Sequence, residues 1–470
     1  MDFWNKASSL REGYRAEVRF GISGKEKSIS YGRLRLFLEH GREKIQIGIE
    51  KSYDSKTGLY PTYFQNEVTK FKLSTLDAHG AGVEMEAEKP SWYDALNGLP
   101  GLLGSSLCET FELKRLAVFL IQAIDDLDLD PKSKIALPEE IYDFILGLDR
   151  ILEKSFRQRS RARDFDLWDK ATTLRENYRA RTRLGVSGRE KNSTLSKIRL
   201  FLEHGREKVQ MGIERSFDPK TGLYPTYFEN ELTRFRTVKA REKIRVVPQA
   251  FSQKPLPFFL EGPVHALKVE KDTERRKALF RAVRESGLYD KKLGMYRVNT
   301  GLESASLEVG RARVFKTGWL ENESIWLHME YKWILEVLNS GMAEEFFFDF
   351  KKALIPFQPA ERYGRSIFEN SSFIVSSAFS DPSLHGAGFV ARLSGSTAEF
   401  LNIWLLMNAG KHPFTLGPDK KLVLRFEPCL PSFLFLNQET VRPRFTSEGK
   451  EESVRVPKNA FAFLFHPAVQ

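Results

Sequence analysis

Cysteine is almost missing: of 470 residues only Cys108 and Cys429 carry a thiol. Two thiols build no disulfide framework, and their separation is no metal-ligand spacing. Such sparse use suits a reducing cytosol. Long apolar runs are missing as well. The longest, such as Leu116 to Ile121, fall far short of the roughly 20 residues that span a bilayer. The opening MDFWNKASSLREGYR lacks the apolar core of a signal peptide. These absences exclude a disulfide scaffold and lead to the expectation of a cytoplasmic protein without a membrane span.

Hydrophobic residues make up 41% of the chain, enough for a substantial core, and the length allows two or three domains or one large one. A net charge of +11 raises the question of nucleic acid. Yet Lys and Arg alternate with Glu along helical stretches such as LEHGREKIQIGIEKS, which describes solvated helix faces and no basic patch. The 37 Phe residues cluster with apolar neighbours, FFFDF at 346–350 and FAFLF at 461–465, and read as core, not as base-stacking platforms. No nucleic-acid partner is expected.

The chain repeats itself. Residues 3–72 align with 167–236 at an offset of 164 without a gap, with 44 of 70 positions identical. Both copies hold LFLEHGREK (Leu36–Lys44, Leu200–Lys208) and TGLYPTYF (Thr57–Phe64, Thr221–Phe228). Each reads as a long amphipathic helix, a Lys-Thr-Gly turn and a short aromatic segment. Two copies so far apart do not form a solenoid, so a local duplication is expected. The second copy leads into the longer C-terminal part and is taken as the native one.

Helical patterns dominate after residue 92. Ser106-Leu-Cys-Glu109 is a capping box opening a helix through Leu113, Leu116 and Leu120. A second helix is expected from Glu139 to Arg163. Leu327, Tyr331, Ile334, Leu335 and Leu338 form a helical stripe, and another helix follows from about Met342 to Leu354. Ser396-Thr-Ala-Glu399 is a second capping box, with its helix reaching Asn408 and Gly410 stopping it. From about Lys420 the segments LVLRF, SFLFL and AFAFLF read as strands. The expected fold is mainly α: an incomplete (α/α) barrel or toroid with a short β-rich tail. The expected domains are a duplicated segment 1–75, a barrel-like region 76–415 and the tail 416–470.

Two stretches carry more polar chemistry than packing needs. In KPSWYDALNGLPGLLGSS (89–106), Asp94 stands two residues after Trp92. It reads either as a turn residue or as a carboxyl group beside aromatic walls, which would disfavour its charge and let it act as an acid near neutral pH. The other stretch is FENSSFIVSSAFSDPSLHGAGFVARLSGSTAEF (368–400). Ser394-Gly395-Ser396 opens a helix there, where backbone N–H groups and the dipole favour an anion, although a capped helix start is the plainer reading.

Four motifs in order resemble the catalytic region of inverting β-glucan phosphorylases of the cellobiose phosphorylase kind, glycoside hydrolase family 94 and its relatives. SWYDALNG resembles the family's Trp-Asn-Asp stretch, which puts the general acid at Asp94 and a sugar-contacting Trp at Trp92. WLENESIWLHMEYKW (319–333) resembles its Glu-Asn…His segment and implies substrate-binding roles for Asn322 and His328. FENSSFIVSS implies a sugar-binding Glu369 and a phosphate contact at Ser376. ARLSGSTAEF resembles its Leu-Thr-Gly-Thr-Ala-Ser stretch and puts the phosphate-binding pair at Ser394 and Gly395. The likeness covers about residues 88–470.

The resemblance implies reversible phosphorolysis of β-glucan oligosaccharides. Inorganic phosphate attacks the anomeric carbon from one face while Asp94 protonates the leaving oxygen from the other. Phosphate is already an anionic nucleophile, so the second carboxylate of an inverting hydrolase is not needed. No metal or organic cofactor is expected, only phosphate as co-substrate; such enzymes are often dimers. The family's β-sandwich and the barrel helices ahead of the acid have no counterpart here, which implies a truncated or rearranged form. The alternative is a carbohydrate-binding or scaffolding relative without turnover.

Overall fold

A computed structural model describes residues 72–462 apart from 87–91, 128, 129, 159–161, 184, 241, 242, 367, 368, 392–394, 419, 420 and 447–449. The first copy of the repeat lies outside the described residues except for its last position. Asn66–Leu430 form one compact unit, and the described residues from Pro431 onward belong to a second.

The larger unit is mainly helical. Its first strands, β1 (Val83–Glu84) and β2 (Ser105–Ser106), pair antiparallel, and β2 runs directly into helix α1 (Leu107–Asp126). Ser106 is the N-cap, as the capping box expects, but its side chain makes no capping bond to the helix. Leu107, Cys108, Phe111, Ala117 and Ile121 face the core, whereas Leu116 and Leu120 lie at the surface.

Strand β3 (Lys134–Pro138), helix α2 (Glu139–Arg157), helix α3 (Arg163–Thr182), strand β4 (Glu190–Thr194) and helix α4 (Leu195–Ser216) follow. In α2 the apolar residues Phe144, Leu148 and Leu152 recur every four positions and are buried together. Glu139 and Glu140 in its first turn and Lys154 and Arg157 in its last complement the helix dipole. With Leu167, Ala171 and Tyr178 of α3, Val209 of α4, and Leu73, Leu76 and Val83, they form one core cluster. The second repeat copy is therefore not one long helix. Gly185 and Gly188 take positive φ, and the residues after them pair with β3 as β4, so α3 and α4 are separated.

The repeat's aromatic TYFEN segment starts β5 (Tyr227–Ala240), which pairs antiparallel with β6 (Lys243–Pro255) in a sheet of order β1-β2-β5-β6. Next come α5 (Glu261–Val269), α6 (Thr273–Glu285), the small hairpin β7 (Tyr289–Asp290) and β8 (Met295–Tyr296), and β9 (Ile325–Trp326). β9 leads into α7 (Leu327–Asn339), then α8 (Ala343–Ala353), the one-turn α9 (Ala360–Tyr363), β10 (Ser371–Ile374), β11 (Gly388–Ala391) and α10 (Gly395–Ala409). All five residues of the expected α7 stripe are buried, and Gly410 follows the last turn of α10 at φ +82°. Ser396 is a buried residue inside α10 instead of its cap. Helix α1 packs on α4 and α5, α2 on α3, and α7 on α5, α8 and α10.

Strands β12 (Phe414–Leu416) and β13 (Leu422–Leu424) close this unit as a hairpin, and LVLRF is a strand as expected. In the second unit SFLFL is no strand. Pro431 precedes it, and Ser432–Leu434 turn as a 3-10 helix. The strands there are β14 (Thr440–Phe445) and β15 (Glu451–Val456), paired from Thr440↔Val456 to Phe445↔Glu451. AFAFLF carries no strand up to residue 462, and the rest of it lies outside the described residues.

Helices α3 and α4 are also tied by charge. Lys208 is 1% exposed, and its ammonium pairs with Asp164, which also pairs with Arg215. Removing the only carboxylate that pairs with Lys208 among the described residues leaves a buried ammonium uncompensated. Asp164→Asn is expected to lower the free energy of unfolding by about 3–5 kcal/mol, measured by chemical denaturation. A loss under about 1 kcal/mol, typical of a surface pair, would contradict it.

Candidate functional site

The short stretch from Trp92 to Gly98 turns tightly, and the turn sorts its side chains. The Asp94 N–H donates to the Trp92 carbonyl at 3.2 Å, and Leu96 N–H donates to that of Tyr93 at 3.2 Å. Tyr93 points inward, 2% exposed, edge-on to Phe259 at 4.8 Å between ring centres. Its hydroxyl donates to the Glu321 carbonyl. Asp94 points outward, with 57% of its side chain exposed.

The three-stranded sheet β11-β10-β9 sets the rest of the site. Phe373 of β10 pairs with Trp326 of β9 on one side and Phe389 of β11 on the other. β9 flows into α7 and β11 leads towards α10, so the sheet brings the N-terminal ends of these two packed helices together. His328 lies in the first turn of α7 and Gly395 is the first residue of α10. A Cβ on Gly395 would fall 2.2–2.5 Å from atoms of the His328 ring, so only glycine permits this approach.

Trp92 completes the contact. Its indole N–H donates to His328 Nδ1 at 2.9 Å, and the two rings meet edge-on at 5.6 Å. With Nδ1 accepting, the imidazole proton belongs on Nε2. Nε2 faces Glu399 Oε1 at 3.7 Å, and Lys332 Nζ approaches the same oxygen at 3.5 Å. The His328 imidazole, above all, holds the Glu399 carboxyl down at about 2, against a burial that would raise it.

Thus three of the expected site residues, Trp92, His328 and Gly395, converge, with Asp94 two residues from Trp92. Ser394 lies outside the described residues. Asn322 is buried; its side-chain N–H donates to the Phe315 carbonyl at 2.8 Å, and its Oδ1 has no hydrogen-bond partner. Glu369 pairs with Arg365 at 3.5 Å. The next residue, Asn370, accepts from the Tyr331 hydroxyl at 3.0 Å and donates to Thr397 in the first turn of α10 at 3.4 Å, so Glu369 is one residue from that helix end. Ser376 is fully buried, and its hydroxyl accepts from the Ala378 N–H at 3.2 Å, closing a turn.

The surroundings of Asp94 differ from expectation. Its neighbour is no aromatic wall but Arg311, whose Nη2 lies 3.0 Å from Oδ2. Arg311 is presented by a loop stitched to the DALNG turn, where Asn97 Oδ1 accepts the Arg311 N–H at 3.0 Å and the Ala95 carbonyl accepts that of Ala312 at 3.1 Å. Arg311 also reaches within 3.9 Å of Glu321 Oε1. Glu321 is the protected acid: 12% of its side chain is exposed, and burial raises its carboxyl above the ordinary range, with Asp94 adding and Arg311 opposing.

Arg311 and Glu321 are functional candidates that sequence reasoning did not single out. One backbone signal accompanies Glu321. Leu320 and Glu323, on either side of Glu321-Asn322, both adopt left-handed φ, of +50° and +56°. Such strain in residues bearing side chains collects at functional sites. A cavity of about 780 Å³ lies elsewhere, lined by His79, Asp164, Arg215 and Phe251, and none of these expected site residues borders it.

No family model matches the chain, and no curated protein matches it. Among solved structures, it is similar to a GH63 mannosylglycerate hydrolase from Thermus thermophilus in complex with glucose. The identity is 12%, 62% of this chain and 69% of that one are covered, and the TM-score is 0.26. So low a score carries no weight for fold or activity.

The lowered Glu399 carboxyl has a consequence for stability. A folded-state value near 2, below the ordinary 4.5, stabilises the fold above about pH 4.5, and this contribution is lost as pH falls from 4.5 towards 2. Glu399→Gln removes it. Wild-type denaturation midpoints are expected to fall more steeply across that window than those of the variant. Parallel curves would contradict the His328–Glu399 pairing.

Proposed function

We propose that this chain works on β-glucan oligosaccharides as a reversible, inverting glycoside phosphorylase, releasing α-glucose 1-phosphate. The observation that carries the reading is the convergence of Trp92, His328 and Gly395 from three distant stretches beside an accessible carboxyl group at Asp94. Packing alone does not require an indole, an imidazole and a glycine at the joined ends of two helices.

In this reading, phosphate sits where α7 and α10 begin. The first N–H groups of a helix have no partner within it, and the dipole favours an anion there. As phosphate enters, His328 turns its Nε2 proton from Glu399 to the anion, and Lys332 adds a positive charge. Trp92 fixes the imidazole's tautomer through Nδ1 and stacks against the sugar. Phosphate oxygen forms the new bond to the anomeric carbon, the glycosidic C–O bond breaks, and Asp94 gives its proton to the departing oxygen. For Asp94 to do so, the entering sugar takes the place of Arg311 at its Oδ2. Glu321, whose carboxyl burial shifts towards its neutral form, and Glu369 hold sugar hydroxyls. The paired helices belong to an (α/α) toroid that opens at this end.

Among the described residues no helix is long and apolar enough to cross a membrane. Both cysteines are free, which suits a cytoplasmic setting.

The test is release of phosphate from α-glucose 1-phosphate in the presence of short β-glucan acceptors. Turnover is expected in the wild type, and Asp94→Asn is expected to reduce it by about 10²–10⁴-fold while oligosaccharide binding persists. Unchanged turnover in the variant would remove Asp94 from its role. Sugar binding without turnover in the wild type would instead identify a non-catalytic relative.

A further inference from the structure

A second cluster of ligand-type side chains lies on the helices α1 and α5, which pack against each other. On α1, Cys108 and Glu112 are one helical turn apart. On α5, Glu261 and His265 repeat the same spacing. An i, i+4 pair shares one helix face, so the facing helices bring four such groups into a single layer. Cys108 Sγ, a Glu261 carboxylate oxygen and a His265 ring nitrogen all lie within 4.8 Å of one another.

The fourth group organises the other three. Glu112 Oε1 accepts from His265 Nδ1 at 2.8 Å. This fixes the proton on Nδ1 and leaves the Nε2 lone pair facing Glu261 Oε1 at 3.8 Å. A carboxylate holding the far nitrogen of a histidine is the usual support of a metal-binding imidazole. On Glu261, the Tyr227 hydroxyl donates to Oε2, so the oxygen nearer His265 is the other one.

We propose that Cys108 Sγ, Glu261 Oε1 and His265 Nε2 bind one zinc-like divalent ion, with Glu112 as the positioning residue behind His265. Thiolate, imidazole and carboxylate together suit zinc better than a hard cation such as magnesium or calcium. Ligand atoms held by one zinc at roughly 2.0–2.3 Å lie about 3.3–3.8 Å apart in a tetrahedron, so side-chain rotations of about 1 Å complete the shell. Water fills the remaining position. Binding releases the Cys108 thiol proton to solvent; the thiolate and the Glu261 carboxylate then balance the ion's two charges. The Glu112 charge is balanced separately, by Arg115 at 2.6 Å and Lys268 at 3.5 Å.

The bound ion bridges two helices. It ties α1 to α5 behind Tyr227 and Phe259, the rings on which Tyr93 packs at 6.4 and 4.8 Å. An ion here therefore stiffens the wall carrying the Trp92–Asp94 turn without touching its chemistry.

The test uses the purified chain, stripped with a chelator and titrated with Co²⁺. A thiolate-to-cobalt charge-transfer band is expected, saturating at one ion per chain and bleached by Zn²⁺. It should vanish in Cys108→Ser and His265→Gln, persist in Cys429→Ser, and need about 10–100-fold more metal in Glu112→Gln. No band in the wild type, or a band surviving in Cys108→Ser, would overturn the site. Should the variants fail to fold, X-ray absorption of the zinc-loaded wild type decides: one sulfur at roughly 2.3 Å supports the site, and a sulfur-free shell overturns it.

Discussion

The hydrogen bond from the Trp92 indole to His328 Nδ1 is the contact on which the candidate site depends. It spans 236 positions of sequence and joins the turn carrying Asp94 to the first turn of α7. Gly395 makes the third point, because its missing side chain lets α10 press its first residue against the same imidazole. One ring thus orders three segments that would otherwise be free to shift independently. Burying a polar ring is favourable only when its nitrogens are satisfied, and here Trp92 meets one and Glu399 approaches the other.

Around this point, charge is divided between two carboxyl groups. Asp94 is accessible and faces Arg311, while Glu321 lies just behind it, enclosed and held towards its neutral form. Carboxyl groups in such contrasting surroundings can take different protonation states at one pH. The strained backbone at Leu320 and Glu323 holds Glu321 in that position, and the aromatic packing of Trp319 on Phe373 and Phe389 braces the loop from below.

Much of this was legible in the amino acids. The α7 stripe, the start of α2 at Glu139 and the end of α10 at Gly410 follow from apolar periodicity and terminal residue types, which are local properties; α2 itself stops at Arg157, and the expected end Arg163 opens α3 instead. Trp92, Asp94 and Gly395 stood out because their stretches carry more polar chemistry than turns and packing need, whereas His328 was implied only by the motif resemblance. Arg311 and Glu321 did not, because both come from loops whose place is set by bonds to distant segments, such as Asn97 to the Arg311 N–H. The division of the second repeat copy into α3 and α4 was hidden for a similar reason: β4 exists only because β3 is there to pair with it. Cys108 and Glu261 share no sequence pattern, since packing of α1 on α5 alone brings them together. Ser106 shows the reverse case, a capping sequence whose helix forms without the capping bond.

The most direct measurement is a crystal structure of the chain soaked with phosphate and a short β-glucan oligosaccharide. The account predicts phosphate between His328 and the first turn of α10, with a sugar ring on Trp92 and its glycosidic oxygen within hydrogen-bond reach of Asp94. Phosphate bound elsewhere, or a sugar seated away from Trp92 and Asp94 with His328 unmoved, would contradict it.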